Sequence, residues 1–247
     1  MISCRNLTKR FGPRTAVEGL CLDLAEGSVC AFLGPNGAGK STTMKLLTGQ
    51  LPPDEGELRV GGLDVLAAPV ELKRIIGVLP DRLGLFDHLT VEEHLHLVGR
   101  IHGLPEADTE GRTEQLLHVL GLEAGRWTFA DHCSHGMRKK TALAMALLHA
   151  PRVLFLDEPF EGVDPVTVRI IHDLLQTLAG RGVTIFFTSH SLSLAERIAT
   201  HAVLLREGRE VWNKPASELP GSMESLYFDL IEGPRPQDLP WLGSARS

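Results

Sequence analysis

The stretch Gly34-Pro35-Asn36-Gly37-Ala38-Gly39-Lys40-Ser41-Thr42 constrains this chain more than any other. It fits the pattern G-x-x-x-x-G-K-[ST], a loop that cradles phosphate groups. Val29-Cys30-Ala31-Phe32-Leu33, just before it, is a continuous apolar run of the kind that makes a buried strand. Thr42 to Leu47, just after it, reads as the start of a helix. Strand, glycine loop and helix in that order turn a pattern match into a physical site. The glycines let successive backbone N–H groups converge on a phosphate without Cβ clashes, and the helix N-terminus adds partial positive charge. Lys40 has the reach for the β- and γ-phosphates of a nucleoside triphosphate, and the Ser41 hydroxyl suits Mg2+.

A second apolar run, Val153 to Leu156, ends in Asp157-Glu158. Taken alone, such a pair reads as a solvated strand end. Downstream of a phosphate loop it becomes the expected partner of that loop. Asp157 is placed to hold Mg2+, and Glu158 to act on the water that attacks the γ-phosphate. A third run, Thr184 to Thr188, leads into Ser189-His190, which puts a histidine at another strand end. His190 there is in position to contact the γ-phosphate. Read by itself it is one of eleven histidines, most of them expected at the surface.

The rest of the chain sorts around these three strands. Leu20, Leu22 and Leu24 alternate with polar neighbours as in a half-buried strand; Leu58 and Val60, and Ile75 to Leu79, suggest two more. From about Leu83 to Ala150 the pattern turns helical. Val91, Leu95, Val98 and Ile101 recur at helical spacing, then Leu116, Leu117 and Leu120, then Met137 to Leu148. Arg138-Lys139-Lys140 reads as the solvated first turn of that last helix. Ile170, Ile171, Leu174, Leu175 and Leu178 make one further helical stripe, and a hairpin is expected to turn at Glu207-Gly208. Gly233 to Ser247 is rich in Pro, Gly and Ser and is expected to be poorly ordered.

Composition narrows the partners. A net charge of −6 argues against nucleic acid, whose phosphate backbone wants a basic surface. The four cysteines form no C-x-x-C pair and demand no oxidising compartment. Met1 to Arg5 carries no apolar signal-peptide core, and the longest apolar run, Ala142 to Leu148, is far too short to span a bilayer. Any membrane role is therefore expected to pass through a partner chain.

In this order the motifs resemble the ATP-binding subunit of ABC transporters, from Leu7 to about Lys214. The loop, the Asp157-Glu158 strand and His190 match the family's Walker A, Walker B and switch histidine. The resemblance implies an α/β fold: a P-loop NTPase (RecA-like) core with an N-terminal antiparallel β subdomain and an inserted α-helical signature subdomain. The implied ATPase domain covers 1–215, with core segments 1–82 and 151–215 and helical subdomain 83–150. A short C-terminal helix and flexible tail would fill 216–247. Phe11 falls where the family stacks an aromatic, usually Tyr, on adenine. Asp164, within Glu161-Gly162-Val163-Asp164-Pro165, falls where a loop signals across a dimer. The family's Leu-Ser-Gly-Gly-Gln signature is replaced by Cys133-Ser134-His135-Gly136-Met137, in which only Ser134 and Gly136 match. Asp81 stands where Gln usually joins Mg2+ and the water; Asp is shorter and, ionised, accepts but does not donate.

The implied assembly is a head-to-tail dimer with a second ATPase subunit. Each ATP is sandwiched between the loop of one chain and Ser134 and Gly136 of the other. The implied function is an ATPase on the cytoplasmic face of the membrane that powers a transmembrane permease subunit, in the manner of drug, lipid or polysaccharide exporters. Leu83 to Thr90 falls where the permease docks in that family. The alternatives are a soluble ATPase switch acting on a non-membrane partner, and a slow regulatory subunit that binds ATP.

Overall fold

The computed structural model describes residues 1–231. The chain opens with β1 (Ile2–Phe11), β2 (Arg14–Leu24), β3 (Val29–Leu33), α1 (Lys40–Leu47), β4 (Glu55–Val60), β5 (Leu63–Asp64), α2 (Pro69–Ile75) and β6 (Ile76–Leu79). Three helices follow: α3 (Val91–His102), α4 (Glu106–Leu120) and α5 (His135–Leu147). It closes with β7 (Val153–Leu156), α6 (Pro165–Gly180), β8 (Thr184–Thr188), α7 (Leu192–Ile198), β9 (His201–Arg206), β10 (Arg209–Pro215) and α8 (Met223–Leu230). No described helix is long and apolar enough to cross a membrane.

Two sheets result. One is antiparallel, in the order β2-β1-β4-β5; the other runs β10-β9-β3-β8-β7-β6. In the second, β9, β3, β8, β7 and β6 are parallel, and β10 returns as an antiparallel hairpin on β9. Every residue of β3, β7 and β8 is buried, because both faces of a parallel sheet are covered. The period of two divides the strand residues between two cores. Cys30, Phe32, Phe155 and Phe186 pack against the antiparallel sheet through Leu20, Leu22, Leu24, Leu58 and Val60. Ala31, Leu33, Leu154, Leu156 and Phe187 face the other way, against Leu143 and Leu147 of α5 and Ile171 and Leu175 of α6. Parallel order brings the C-terminal ends of β3, β6, β7 and β8 to one edge, where ligands bind in open α/β sheets.

Local sequence explains how the helical segment is built. Thr90 caps α3 in a reciprocal box with Glu93: each side chain accepts from the other residue's N–H, and Gly103, at φ 68°, ends the helix. Arg126, following α4, grips Glu92 of α3 through Nε and Nη2, both at 2.8 Å, and Glu114 of α4 through Nη2 at 2.6 Å. These ion pairs tie the two helices across their exposed side, and they push the Arg126 guanidinium pKa up.

The structure departs from the sequence reading in several elements, among them α3 and α2, and it adds β5 and α7. Ile101 is not a core residue: it is 71% exposed, because the last turn of α3 projects past the surface that buries Val91 and Leu95. The helix α2 was not expected, since Leu72 is its one buried residue and a single apolar position makes no stripe. The C-terminal helix of the expected 216–247 segment is α8; Gly233 to Ser247 lies outside the described residues.

Candidate active site

The phosphate loop joins β3 to α1 and is pressed between two backbones. A Cβ at Gly34 (φ 151°) would stand 2.5 Å from the Leu205 carbonyl oxygen of β9, and one at Gly39 (φ 113°) 2.3 Å from that of Ala16 in β2. Only glycine fits either place. Ala38 is buried beneath the loop, and its carbonyl accepts from Gly208 N–H at 2.9 Å. Pro35, Asn36, Gly37, Gly39, Lys40, Ser41 and Thr42 form one wall of a cavity of about 630 Å³. Lys40, nearly buried, folds back so that Nζ donates to the Gly34 carbonyl at 2.6 Å and the Pro35 carbonyl at 3.2 Å. Burial lowers its pKa, against the pull of Glu158 and Asp157.

The opposite wall carries Asp81, Asp157, Glu158 and His190, from the ends of β6, β7 and β8, and Phe11 stands at the rim, 50% exposed. The buried Thr188 organises this wall. Its hydroxyl donates to Asp157 Oδ1 at 2.6 Å and accepts from Glu158 N–H at 3.0 Å. Glu158 is held in the left-handed region at φ 48°, unusual for a residue with a side chain. Its Oε2 accepts from His190 N–H at 3.0 Å. Its Oε1 lies 3.3 Å from His190 Nε2 but off the hydrogen-bond axis, so this buried oxygen has no hydrogen-bond partner among the described residues. Burial pushes the Glu158 carboxyl above its usual range, and His190 and Lys40 pull it back only in part. A raised carboxyl pKa makes the carboxylate a stronger proton acceptor than a solvated one.

Three of the expected site residues lie elsewhere. Ser134 caps α5, its Oγ accepting from Met137 N–H at 3.2 Å. Asp164 caps α6 through bonds from Val166 and Thr167 N–H, and takes the Thr167 hydroxyl at 2.6 Å. The bonds from Thr167 hold its carboxyl below the usual range. A Cβ on Gly136 would sit 3.6 Å from Asp164 Oδ2, so the two are neighbours. None of the three lines the cavity that holds the phosphate loop.

The reading of Arg138-Lys139-Lys140 as a solvated turn is corrected. Lys139 is 5% exposed, and its Nζ donates to the carbonyls of Glu158 at 2.6 Å and Glu161 at 2.7 Å. Position 139 faces inward because α5 packs against the loop after β7. Sequence reasoning also missed Arg14, Ala16 and Glu161, which line the cavity. Arg14 Nη2 donates to the Gly37 carbonyl at 3.2 Å and so steadies the loop from β2. Its one sequence signal was its place just after the Phe11-Gly12-Pro13 turn.

Comparison with known proteins agrees with this geometry. The ABC transporter family profile matches residues 17–161. The ABC transporter ATP-binding protein NatA of Bacillus subtilis is 32% identical over 247 residues, 98% of this chain and 96% of that one. The Nod factor export ATP-binding protein I of Paraburkholderia xenovorans is 35% identical over 230 residues, 92% of this chain and 75% of that one. ATP-binding cassette sub-family A member 7 of Rattus norvegicus is 38% identical over 209 residues, 84% of this chain. This chain spans 10% of the length of that relative. A solved ATP-binding subunit of an ABC transporter superposes with a TM-score of 0.87 at 29% identity, covering 93% of this chain and 98% of that one. A dimeric bacterial ABC transporter cassette, at TM-score 0.81 and 24% identity over 87% of this chain and 99% of that one, shares the fold. The chain belongs to the ABC transporter family, among its ATP-binding subunits.

Proposed function

We propose that this chain binds and hydrolyses ATP and passes the resulting motion to a separate membrane permease, in the direction of export. The observation that carries the reading is the buried, unpartnered Oε1 of Glu158 across the cavity from the phosphate loop. The loop amides and Lys40 take the phosphates, Lys40 exchanging its two loop carbonyls for phosphate oxygens. The Phe11 ring offers a π-face to adenine. Ser41, Asp157 and Asp81 are hard oxygen donors suited to Mg2+, which would offset the phosphate charge opposite the carboxylates of this wall. Glu158 takes the proton of the attacking water. His190, bonded to Glu158 through its N–H, contacts the γ-phosphate.

Ser134, Gly136 and Asp164 serve the neighbouring chain's ATP in a head-to-tail pair. This accounts for a complete motif set whose members do not share one cavity. The dimeric cassette that shares the fold supports the pairing, and the name of the Nod factor export protein supports the direction. Residues 83–150 form the arm that carries the signature, 1–82 and 151–215 the nucleotide core, and the exposed Phe86 lies in the segment offered to the permease. The chain then sits on the cytoplasmic face of the membrane, held there by its permease.

The decisive experiment separates binding from turnover. Glu158→Gln is expected to keep ATP affinity and lose about 100-fold or more in kcat. Lys40→Ala is expected to weaken ATP binding itself. Steady-state hydrolysis undiminished in Glu158→Gln would refute the assignment.

A further inference from the structure

The N-terminal turn of α5 touches the loop after β7 at two places on one helical face. His135 and Lys139 are four apart and therefore stack along that face. The His135 ring covers Gly162, where a Cβ would lie 2.9 Å from its Nε2. Lys139 Nζ donates to the Glu158 and Glu161 carbonyls, and the same Glu158 carbonyl also accepts from Glu161 N–H at 3.2 Å. The loop is thus closed on itself and pinned from outside. What it holds is a costly conformation. Glu158 is one of four non-glycine residues at positive φ among the described residues, and such geometry persists only where its surroundings enforce it.

A buried ammonium is itself expensive unless its surroundings compensate. Here Glu161, Glu158, Asp81 and Asp157 surround Lys139 with negative charge, while its two direct acceptors are both backbone oxygens of one turn. Accepting a strong charge-assisted bond fixes the direction of the 158–159 peptide, and with it the aim of the Glu158 side chain.

We propose that Lys139 is a positioning residue for hydrolysis: by clamping the Glu158 and Glu161 carbonyls it holds Glu158 in its left-handed conformation, aimed into the cavity. The clamp makes α5 a rigid link between its own Ser134 end and Glu158. The inference rests on the reading of Glu158 as the residue that acts on water.

The test uses the full chain, with thermal melting to confirm folding, a fluorescent ATP analogue for affinity and steady-state turnover for kcat and KM. Lys139→Met is expected to lose about 100-fold in kcat, the size of effect expected from misplacing a catalytic group by an ångström. Its ATP affinity and KM stay within about threefold of the parent, because the phosphate loop is untouched. Lys139→Arg, which keeps a buried cation able to reach two carbonyls, recovers turnover to within about tenfold of the parent. Three results overturn the proposal: kcat unchanged in Lys139→Met, affinity falling in step with kcat, or Arg rescuing no better than Met. If Lys139→Met does not fold, Lys139→Gln takes its place; it keeps one donor, and parental kcat in that variant overturns the proposal equally. Turnover retained by Glu158→Gln in the same series would instead remove the reading on which the proposal stands.

Discussion

Gly34, Gly37 and Gly39 look equivalent in the motif, yet they meet different surroundings. Gly39 faces the Ala16 carbonyl and Gly34 the Leu205 carbonyl, both too close for any Cβ, whereas the nearest atom to a Cβ on Gly37 would be Arg14 Nη2 at 3.5 Å. Gly39→Ala is therefore expected to cost about 3 kcal/mol or more, since strain and a backbone clash add. Gly37→Ala meets only the left-handed strain and should cost about 1 to 2 kcal/mol. Urea unfolding of the two variants checks the order; equal losses would mean the loop shifts freely between the two sheets. At this scale the sequence pointed to residues that the fold brings to one cavity: the loop, Asp157, Glu158 and His190. It did not reveal Lys139, Thr188 as an organiser, or Arg14. Their roles come from partners brought close by folding, such as Lys139 and Glu158, 19 residues apart, and a lysine inside a basic run reads as solvated.

Among the elements, α3 carries a fully buried histidine. His94 Nδ1 bonds the Thr90 carbonyl at 2.7 Å and its Nε2 accepts from Phe86 N–H at 2.9 Å, so the neutral ring joins the helix start to the exposed segment around Phe86. Protonation would set an N–H against the Phe86 N–H. Burial holds the His94 pKa below its free value, against the smaller pull of the Thr90 carbonyl and Glu93. A group with a depressed folded pKa contributes its full stability above the free value of about 6.5 and loses it as pH falls through the folded value. Acidification from about pH 7.5 to 5 should therefore destabilise the parent more than His94→Gln. Denaturation curves at the two pH values decide the matter, and parallel losses would rule His94 out. The strands β3, β7 and β8 were legible because total burial leaves an unbroken apolar run. The helix α2 was not, because it buries one residue, and the end of α3 was overread, because helical spacing says which residues share a face but not how far the neighbouring surface extends.

For the whole molecule, the separation of Ser134 and Gly136 from the phosphate-loop cavity sets up a test of the shared site. Ser134→Asp keeps an acceptor to cap α5 but puts negative charge where a neighbour's phosphate would come. Lys40→Ala and Ser134→Asp should each be nearly inactive alone. Mixed in equal amounts, half of the dimers pair one with the other and keep one intact site of two, so turnover should recover to about a quarter of the parent. A phosphate-release assay reads this directly, and a mixture no more active than its components would mean that each chain completes its own site. The sheet order carries one more consequence, for synthesis. The ladder partners of β3 are β8 and β9, from Thr184–Thr188 and His201–Arg206, and Gly34 rests on Leu205. The nascent chain thus displays the whole nucleotide motif by Thr42 but has no pocket for it until Arg206 has left the ribosome. Until then Val29–Leu33 is an unpaired apolar segment that needs shelter, and ATP gives no help to folding before the last strands arrive.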